Sequence, residues 1–411
     1  MDATQSDLRS LTVAELAERL APLGCPPYRA RQIRRWLDAG VTDIGRMTDL
    51  PAALRAQLAQ TFTVPGVTID RRQVSQIDGT VKYLFRLDDG ETVESVLMRY
   101  KHGISQCLST QVGCKMGCTF CATGMGGFVR DLSAAEMMAE IEQAQQDAGV
   151  RVSSIVLMGM GEPLDNYDQV VRFLRMLGEE GGVHIGMRHI SLSTCGLVPG
   201  ILRLAKEGLP ITLSVSLHAP NDQIRRRTMP VARRYPIEEL LDACRTYIAA
   251  TGRRISFEYA MIDGVNDSDA CASELADRLS GMLCHVNLIP INAVPGKAQH
   301  RSPRARIAAF MAVLENFAKA RPNALAGYFC GDSHFDNEME LRGVNWTISQ
   351  GYGGVNRANK PWGARTVAFN RAQEMLFELV AVKPAAGEFR LFRVGAGGAA
   401  FDRTCSYFNK L

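Results

Sequence analysis

SerIleValLeuMetGlyMetGlyGluProLeuAspAsnTyrAspGlnValValArgPheLeuArgMetLeu, residues 154–177, contains the unit from which the rest of the chain can be read. It opens on a continuous apolar run, 154–158, of the length a buried strand needs. A turn rich in glycine follows, and then a helix over Tyr167–Leu177, where apolar residues recur three and four positions apart. The same strand, loop and helix succession repeats outward from it. Strands are expected at 189–193, 211–217, 254–260 and 285–290. Helices are expected at Ser133–Gln145, with Ser133 and Glu136 as a capping box, and at Ile237–Ala250, Ser268–Leu279 and Pro303–Ala320. Such alternation predicts an α/β fold with a parallel sheet, open or closed into a barrel. In these folds chemistry collects at the carboxyl ends of the strands. The unusual residues lie there: GlyMetGlyGluPro (159–163) after the first strand, SerThrCysGly (193–196) after the second, HisAlaPro (218–220) after the third and Asn292 after the fifth.

The flanks read differently. Residues 10–62 form short helices, with Leu11, Ala14, Leu16 and Leu20 at helical spacing and a basic stretch, Tyr28 to Trp36, carrying Arg29, Arg31, Arg34 and Arg35. These arginines fall on more than one face, so they either cover a solvated helix or grip phosphates. From Val64 to about Leu108 apolar and polar residues alternate around a turn at Asp88, Asp89 and Gly90, a hairpin-like β segment. The organisation expected is therefore a helical domain over 1–63, a β-hairpin region over 64–108, the repeating core over 109–320, and a glycine-rich tail over 321–411 with one helix, Arg371–Leu379, and two strands.

Composition excludes several classes. With 46% apolar residues among 411 the chain has the material for a full core, and it has no run of roughly 20 apolar residues that could cross a bilayer. Lys+Arg 47 against Asp+Glu 43 leaves +4, so any nucleic-acid contact must come from local patches. MetAspAlaThrGlnSerAspLeuArgSer lacks the pattern of a secretory leader, and a cytoplasmic protein is expected. Eleven cysteines, an odd number in a large chain, point to metal or redox chemistry rather than a disulfide framework.

Cys114, Cys118 and Cys121 stand as C-x3-C-x2-C within GlyCysLysMetGlyCysThrPheCysAlaThrGlyMetGlyGly (113–127). Three thiolates interleaved with glycines can wrap one metal centre. Structural zinc would need Cys107 or His102 to complete a tetrahedron, and a redox C-x-x-C has no use for Cys114. Three ligands without an obvious fourth favour an iron–sulfur cluster with one open position.

These cysteines, together with GlnValGlyCysLysMetGlyCysThrPheCysAlaThrGly, MetGlyMetGlyGluProLeu, LeuSerThrCysGly, SerLeuHisAlaProAsn, PheGluTyrAlaMetIleAspGlyValAsnAsp and AsnLeuIleProIleAsn in order, are similar to the RlmN/Cfr family of radical S-adenosylmethionine (SAM) RNA adenine methyltransferases. The similarity runs from about Glu91 to Ala320. It implies a partial (β/α) barrel, a 4Fe–4S cluster on Cys114, Cys118 and Cys121, and a SAM site formed by Gly161, Glu162, Ser193, Ser216, Leu217, His218 and Asn292. In it Glu162 suits the ammonium of SAM. The resemblance further implies Glu94 as proton acceptor, Cys107 as the cysteine that resolves a covalent RNA adduct, and a methyl-carrying cysteine near the C-terminus. Its substrates would be 23S rRNA and tRNA, methylated at C2 of adenosine, with C8 as the alternative of the Cfr branch. A flavodoxin-like or other low-potential electron donor and a monomeric state are expected.

The chain departs from the family after its last core helix, where an Asp-Ile-Asp-like run leading into Ala-Cys-Gly is absent. Cys330, in TyrPheCysGlyAsp, is the nearest counterpart, and Cys405 lies far beyond. Either the tail is a divergent extension or the reading frame shifted near Glu315–Arg321; in the second case the protein would bind cluster, SAM and RNA without completing methyl transfer. Arg225, Arg226, Arg227, Arg233 and Arg234 follow the SerLeuHisAlaPro strand end and suit phosphate contacts on the substrate face.

Overall fold

A computed structural model describes residues 6–100, 103–178, 183–292, 294 and 296–320, and beyond them only the strands named at the end of this section. The amino-terminal segment is β1 (Ser6–Asp7), α1 (Val13–Leu20), α2 (Tyr28–Asp38), α3 (Ala52–Thr61) and β2 (Phe62–Thr63), with β1 and β2 paired in parallel. Thr12 and Glu15 close α1 with a capping box. Leu8, Leu16, Leu20, Ile33, Leu37, Leu54, Leu58 and Phe62 share a core of their own. Each such side chain contributes about 1.5–3 kcal/mol when fully buried.

A meander follows: β3 (Val67–Val74), β4 (Val81–Leu87) and β5 (Thr92–Tyr100), successive neighbours antiparallel. Val81, Tyr83, Phe85 and Leu87 all point inward from β4, the period of two that the sequence displays. Next come β6 (Gly103–Cys107), β7 (Gln111–Gly113), β8 (Phe128–Asp131), α4 (Ala134–Ala148), β9 (Ser154–Leu157), α5 (Tyr167–Leu177), β10 (Ile190–Thr194), α6 (Val198–Leu204), β11 (Thr212–Ser216), α7 (Asp222–Thr228), α8 (Ile237–Thr251), β12 (Ile255–Met261), α9 (Asp269–Leu279), β13 (Cys284–Pro290) and α10 (Arg304–Ala320). The capping box of Ser133 and Glu136 forms as expected.

One nine-stranded sheet, in the order β13-β12-β11-β10-β9-β6-β5-β4-β3, runs through this unit. Strands β6 and β9 to β13 are parallel, in the α/β partial-barrel arrangement, and β5 to β3 extend the sheet as an antiparallel flank. Residues 103–107, grouped with the hairpin in the sequence, thus belong to the parallel core as its first strand. β12 is buried along its whole length, as a central strand covered on both faces must be.

The residues beyond 330 belong to a second compact unit. It contains the pairs β14 (Asn337–Leu341) with β15 (Val344–Ile348) and β16 (Arg357–Ala358) with β17 (Val367–Ala368). A three-stranded sheet is formed by β18 (Phe377–Lys383), β19 (Glu388–Gly395) and β20 (Gly398–Ser406). The expected helix Arg371–Leu379 is therefore corrected at its end: Phe377, Glu378 and Leu379 pair with Val394, Arg393 and Phe392. Cross-strand pairing overrides the helical propensity of this stretch. Cys330 lies outside the described residues.

Candidate active site

Between β6 and α4 the chain forms a short ribbon, β7 with β8, and the cysteine loop hangs from it. Gly113 has φ 76°, and a Cβ there would stand 2.0 Å from the carbonyl oxygen of Gly127, so only glycine lets the two ends of the loop close. The Cys114 N–H donates to that same oxygen at 2.7 Å. Cys114, Cys118 and Cys121 are free, half-buried thiols. Burial pushes the Cys118 thiol up to about 12 and raises that of Cys114, with the neighbouring cysteines adding to the effect. Metal loading must expel these protons.

Among the described residues no three His, Cys, Asp or Glu side chains converge on a single metal ion. His102 lies outside the described residues. A 4Fe–4S cube suits the donors better, because each thiolate binds a separate iron. The loop is braced from the far side: the Thr119 N–H donates to the Thr228 carbonyl at 2.9 Å, and a Cβ on Gly117 would lie 3.6 Å from Pro230 Cγ.

The loops after β9, β10 and β11 sit side by side at the carboxyl ends of adjacent strands. Gly161 adopts φ 103°, and a Cβ there would fall 2.6 Å from Gln111 Cβ, so this turn also demands glycine. Gln111 is the hub beneath it. Its Oε1 accepts the Glu162 N–H at 2.8 Å, and its amide donates to Asp131 at 2.7 Å and Asp165 at 2.9 Å. Glu162 is 3% exposed; its carboxylate accepts from the Leu164 N–H at 3.0 Å and the Cys195 N–H at 2.7 Å. Burial raises its proton affinity against those donors. The Thr194 and Cys195 side chains also hydrogen-bond this carboxylate, and as an anion it is a group that could hold an ammonium.

Ser193 and Ser216 are half-buried at the ends of β10 and β11, and Asn292 is exposed just beyond β13. The Leu217 side chain is buried, and both of its backbone polar groups have partners: its N–H donates to the Glu258 carbonyl and its carbonyl accepts from Arg225. His218 takes φ 55°, and its Nδ1 accepts the Ala260 N–H at 2.9 Å. Desolvation holds its imidazolium down to about 3, so the ring is neutral with its proton on Nε2. Asn266 fixes this turn by donating to the carbonyls of His218 and Ala260. Thus Leu217 and His218 shape the loop, and the groups they leave for a ligand are few.

Glu94 and Cys107 occupy adjacent strands. Ser95 Oγ donates to the Cys107 carbonyl at 2.8 Å, Ser109 Oγ donates to the Glu94 carbonyl at 2.6 Å, and the Met160 N–H donates to Ser109 Oγ at 3.0 Å. The Glu94 N–H points at Met160 Sδ at 3.4 Å, and its carboxylate pairs with Lys82 at 2.7 Å. Glu94 is thereby stitched to the GlyMetGlyGluPro loop, and Cys107 to the strand that carries Glu94. Burial pushes the Cys107 thiol up to about 12, and the fully buried Glu140 adds to it. Glu140, Gln111, Asn266 and Lys82 were not singled out from the sequence; Gln111 and Asn266 lie inside quoted motifs, and for Glu140 the only signal is a carboxylate on the apolar side of α4.

Two expectations about arginine are corrected. Arg34 is 2% exposed, donates to the carbonyls of Arg9 and Leu11 and pairs with Asp38 at 3.7 Å, so it stabilises the helical domain and cannot reach a phosphate. Arg225 is 0% exposed, its guanidinium donating to the carbonyls of Leu217 (3.1 Å), Cys195 (2.6 Å) and Ser216 (3.3 Å). Arg31, Arg35, Arg226, Arg227, Arg233 and Arg234 are exposed. A cavity of about 420 Å³ between α1, α5 and α6 lies away from all this chemistry. Its charges pair with one another, Arg172 with Glu15, Arg175 with Glu207 and Arg203 with Asp168, as in a seam between domains.

Residues 108–275 match the model of the radical SAM superfamily, and residues 6–64 match that of the ribosomal RNA large subunit methyltransferase N-terminal domain. The probable dual-specificity RNA methyltransferase RlmN of Alkaliphilus oremlandii is 54% identical over 288 residues, 70% of this chain and 84% of that protein. The corresponding protein of Lachnoclostridium phytofermentans is 50% identical over 310 residues, 75% of this chain and 87% of its own length. The crystal structure of a radical SAM methyltransferase from Sphaerobacter thermophilus superposes with a TM-score of 0.72 at 50% identity, covering 76% of this chain and 93% of that one. With the cysteine loop, the strand-end loops and both domains thus matched, the chain belongs to the RlmN family of radical SAM RNA methyltransferases.

Proposed function

We propose that the protein methylates C2 of adenosine in 23S rRNA and tRNA, through a cysteine that carries the methyl group as a methylene donor. The carrying observation is that Glu94 is tied through Ser109 to the loop that presents Glu162, while Cys107, on the neighbouring strand, is tied to Ser95 beside Glu94. C2 of adenine is electron-poor and offers no lone pair to a sulfonium methyl, so polar transfer has no route. Cys114, Cys118 and Cys121 would hold the cluster, which when bound would supply the electron for cleavage of SAM to a 5′-deoxyadenosyl radical. Glu162 and Ser216 orient the methionyl end. The methylene radical formed when hydrogen is abstracted from the S-methyl group adds to C2; Glu94 accepts the C2 proton, and the one unpaired electron of the adduct would return to the oxidised cluster. Cys107 then attacks the sulfur of the methyl-carrying cysteine; the C–S bond breaks, its electron pair stays on the methylene carbon, and that carbon takes a proton to become the methyl group. A transient disulfide remains. All nine described cysteines are free thiols, so this disulfide is part of the proposal and not of the structure.

Cys330 is assigned the methyl-carrying position. The exposed Arg226, Arg227, Arg233 and Arg234, and Arg31 and Arg35 of the helical domain, suit phosphate contacts with a loop from which an adenine is splayed. A low-potential donor of flavodoxin type and action as a monomer complete the reading. No helix among the described residues is long and apolar enough to cross a membrane.

A second reading is favoured by one observation, the missing Ala-Cys-Gly segment: SAM cleavage without methyl transfer. Cys330→Ala separates the two. It abolishes RNA methylation under the first and changes nothing under the second. An 8-methyladenosine product would move the protein to the Cfr type.

A further inference from the structure

Arg225 is 0% exposed and donates only to three neutral carbonyls, those of Cys195, Ser216 and Leu217, while its Nη1 has no hydrogen-bond partner among the described residues. A buried guanidinium without a carboxylate is costly, and native proteins compensate such a charge or lose it. The nearest acidic residue on its own helix, Asp222, is 29% exposed and is engaged by Arg226 at 3.9 Å and by the Ile237 N–H at 3.0 Å. The helix that carries Arg225 also carries the cysteine loop: Thr228, three residues on, accepts the Thr119 N–H at 2.9 Å, and Thr119 lies next to Cys118. On the other side the Cys195 peptide joins Arg225 to Glu162, its N–H donating to the Glu162 carboxylate and its carbonyl accepting from the guanidinium.

An anion is therefore expected opposite Nη1. Three thiolates make a cluster anionic, and each electron added makes it more so. We propose that Arg225 is the counter-cation of the iron–sulfur cluster, a positioning residue that clamps the ends of β10 and β11 and whose charge favours the reduced cluster over the oxidised one. This rests on the cluster assignment and not on the identity of the RNA product.

The test compares wild type, Arg225→Gln and Arg225→Lys after anaerobic reconstitution, with iron and sulfide content measured first. The midpoint potential is then read by EPR during titration with dithionite, without SAM or RNA. Loss of the charge in Arg225→Gln is expected to disfavour reduction about tenfold, a potential lower by about 59 mV for a one-electron couple. Arg225→Lys, which keeps the charge and gives up the three-carbonyl fork, is expected to stay close to wild type. Cluster loading should also raise the unfolding temperature of wild type by more than that of Arg225→Gln. An unchanged potential in loaded Arg225→Gln overturns the proposal. So does a tenfold shift in Arg225→Lys, which alone decides the matter if the Gln variant does not fold. Weakened SAM binding at an unchanged potential would assign the charge to the SAM carboxylate and likewise overturn it. Failure of wild type to take up iron and sulfide would overturn the cluster assignment itself, a distinct result.

Discussion

Glu140 shows how much a single buried carboxyl can say. It is 0% exposed on α4, its carboxyl meets the Ser109 N–H at a long 3.4 Å and the Ser95 hydroxyl, and its backbone carbonyl is taken by Gln106. Desolvation raises its proton affinity well above the ordinary carboxylate value of 4.5. The folded state then binds the proton more tightly than the unfolded chain, so the stability associated with the protonated group is complete below about pH 4.5 and falls as pH rises towards the folded value. Glu140→Gln removes the ionisation at nearly constant shape. The variant is expected to melt at or above the wild-type temperature at neutral pH, with a shallower decline between pH 5 and pH 8. A melting profile parallel to wild type across that range would mean that Glu140 is not held neutral. Nothing local in AlaAlaGluMetMetAlaGluIleGlu distinguishes Glu140 from Glu136, which caps the helix and pairs with Arg130; burial is a property of what the helix meets, and for the same reason Arg34 reads in sequence as either solvated or phosphate-gripping and Arg225 as a phosphate ligand.

At the scale of elements, α2 divides into a structural and a solvent side. Arg34 is buried beside Asp38, whose carboxyl is pushed up to about 7 by desolvation, whereas Arg31 and Arg35 are exposed. Removing one partner from a buried ionic cluster costs about 3–5 kcal/mol. Arg34→Ala should accordingly destabilise the protein by about that amount in urea titration. Arg31→Ala should leave stability within about 0.5 kcal/mol but reduce the slope of RNA affinity against salt by about 1. Equal stability losses for the two would contradict the division. The helices and strands of the core were legible because their periods, 3.6 and 2, survive in sequence; β9, α5, α8 and β13 lie within a residue or two of where the pattern puts them. The parallel role of β6 was not legible, since five residues after a hairpin carry no mark of which neighbour they will pair with. Nor was β18, where ArgAlaGlnGluMetLeuPheGluLeu has helical spacing and pairing with β19 decides its end.

For the molecule as a whole, the helical domain and the core are joined by an ion pair with almost no exposure, Arg9 with Glu142 of α4, and by Arg172 of α5, which donates to the Ser10 carbonyl and the Glu15 carboxylate. Burial lowers Arg9 to about 10, still cationic at neutral pH. Arg9→Met leaves Glu142 buried without its partner and should cost about 3–5 kcal/mol, while the double change Arg9→Met with Glu142→Met should cost less than Arg9→Met alone. Denaturant titration of the three variants checks this; strictly additive losses would remove the ion pair as the joint. The site itself was legible as motifs, because glycines and cysteines at strand ends have few other uses. The carbonyl-bound arginine and the Gln111 hub that hold those motifs in register emerged only with the fold.

The most direct measurement is anaerobic reconstitution with iron and sulfide, followed by incubation with SAM, reductant and unmodified 23S rRNA, and mass spectrometry of the nucleosides. 2-Methyladenosine is expected together with 5′-deoxyadenosine, both lost in Cys118→Ala. Release of 5′-deoxyadenosine with unmodified RNA would contradict it, leaving a radical SAM core joined to a tail that does not carry the methyl group.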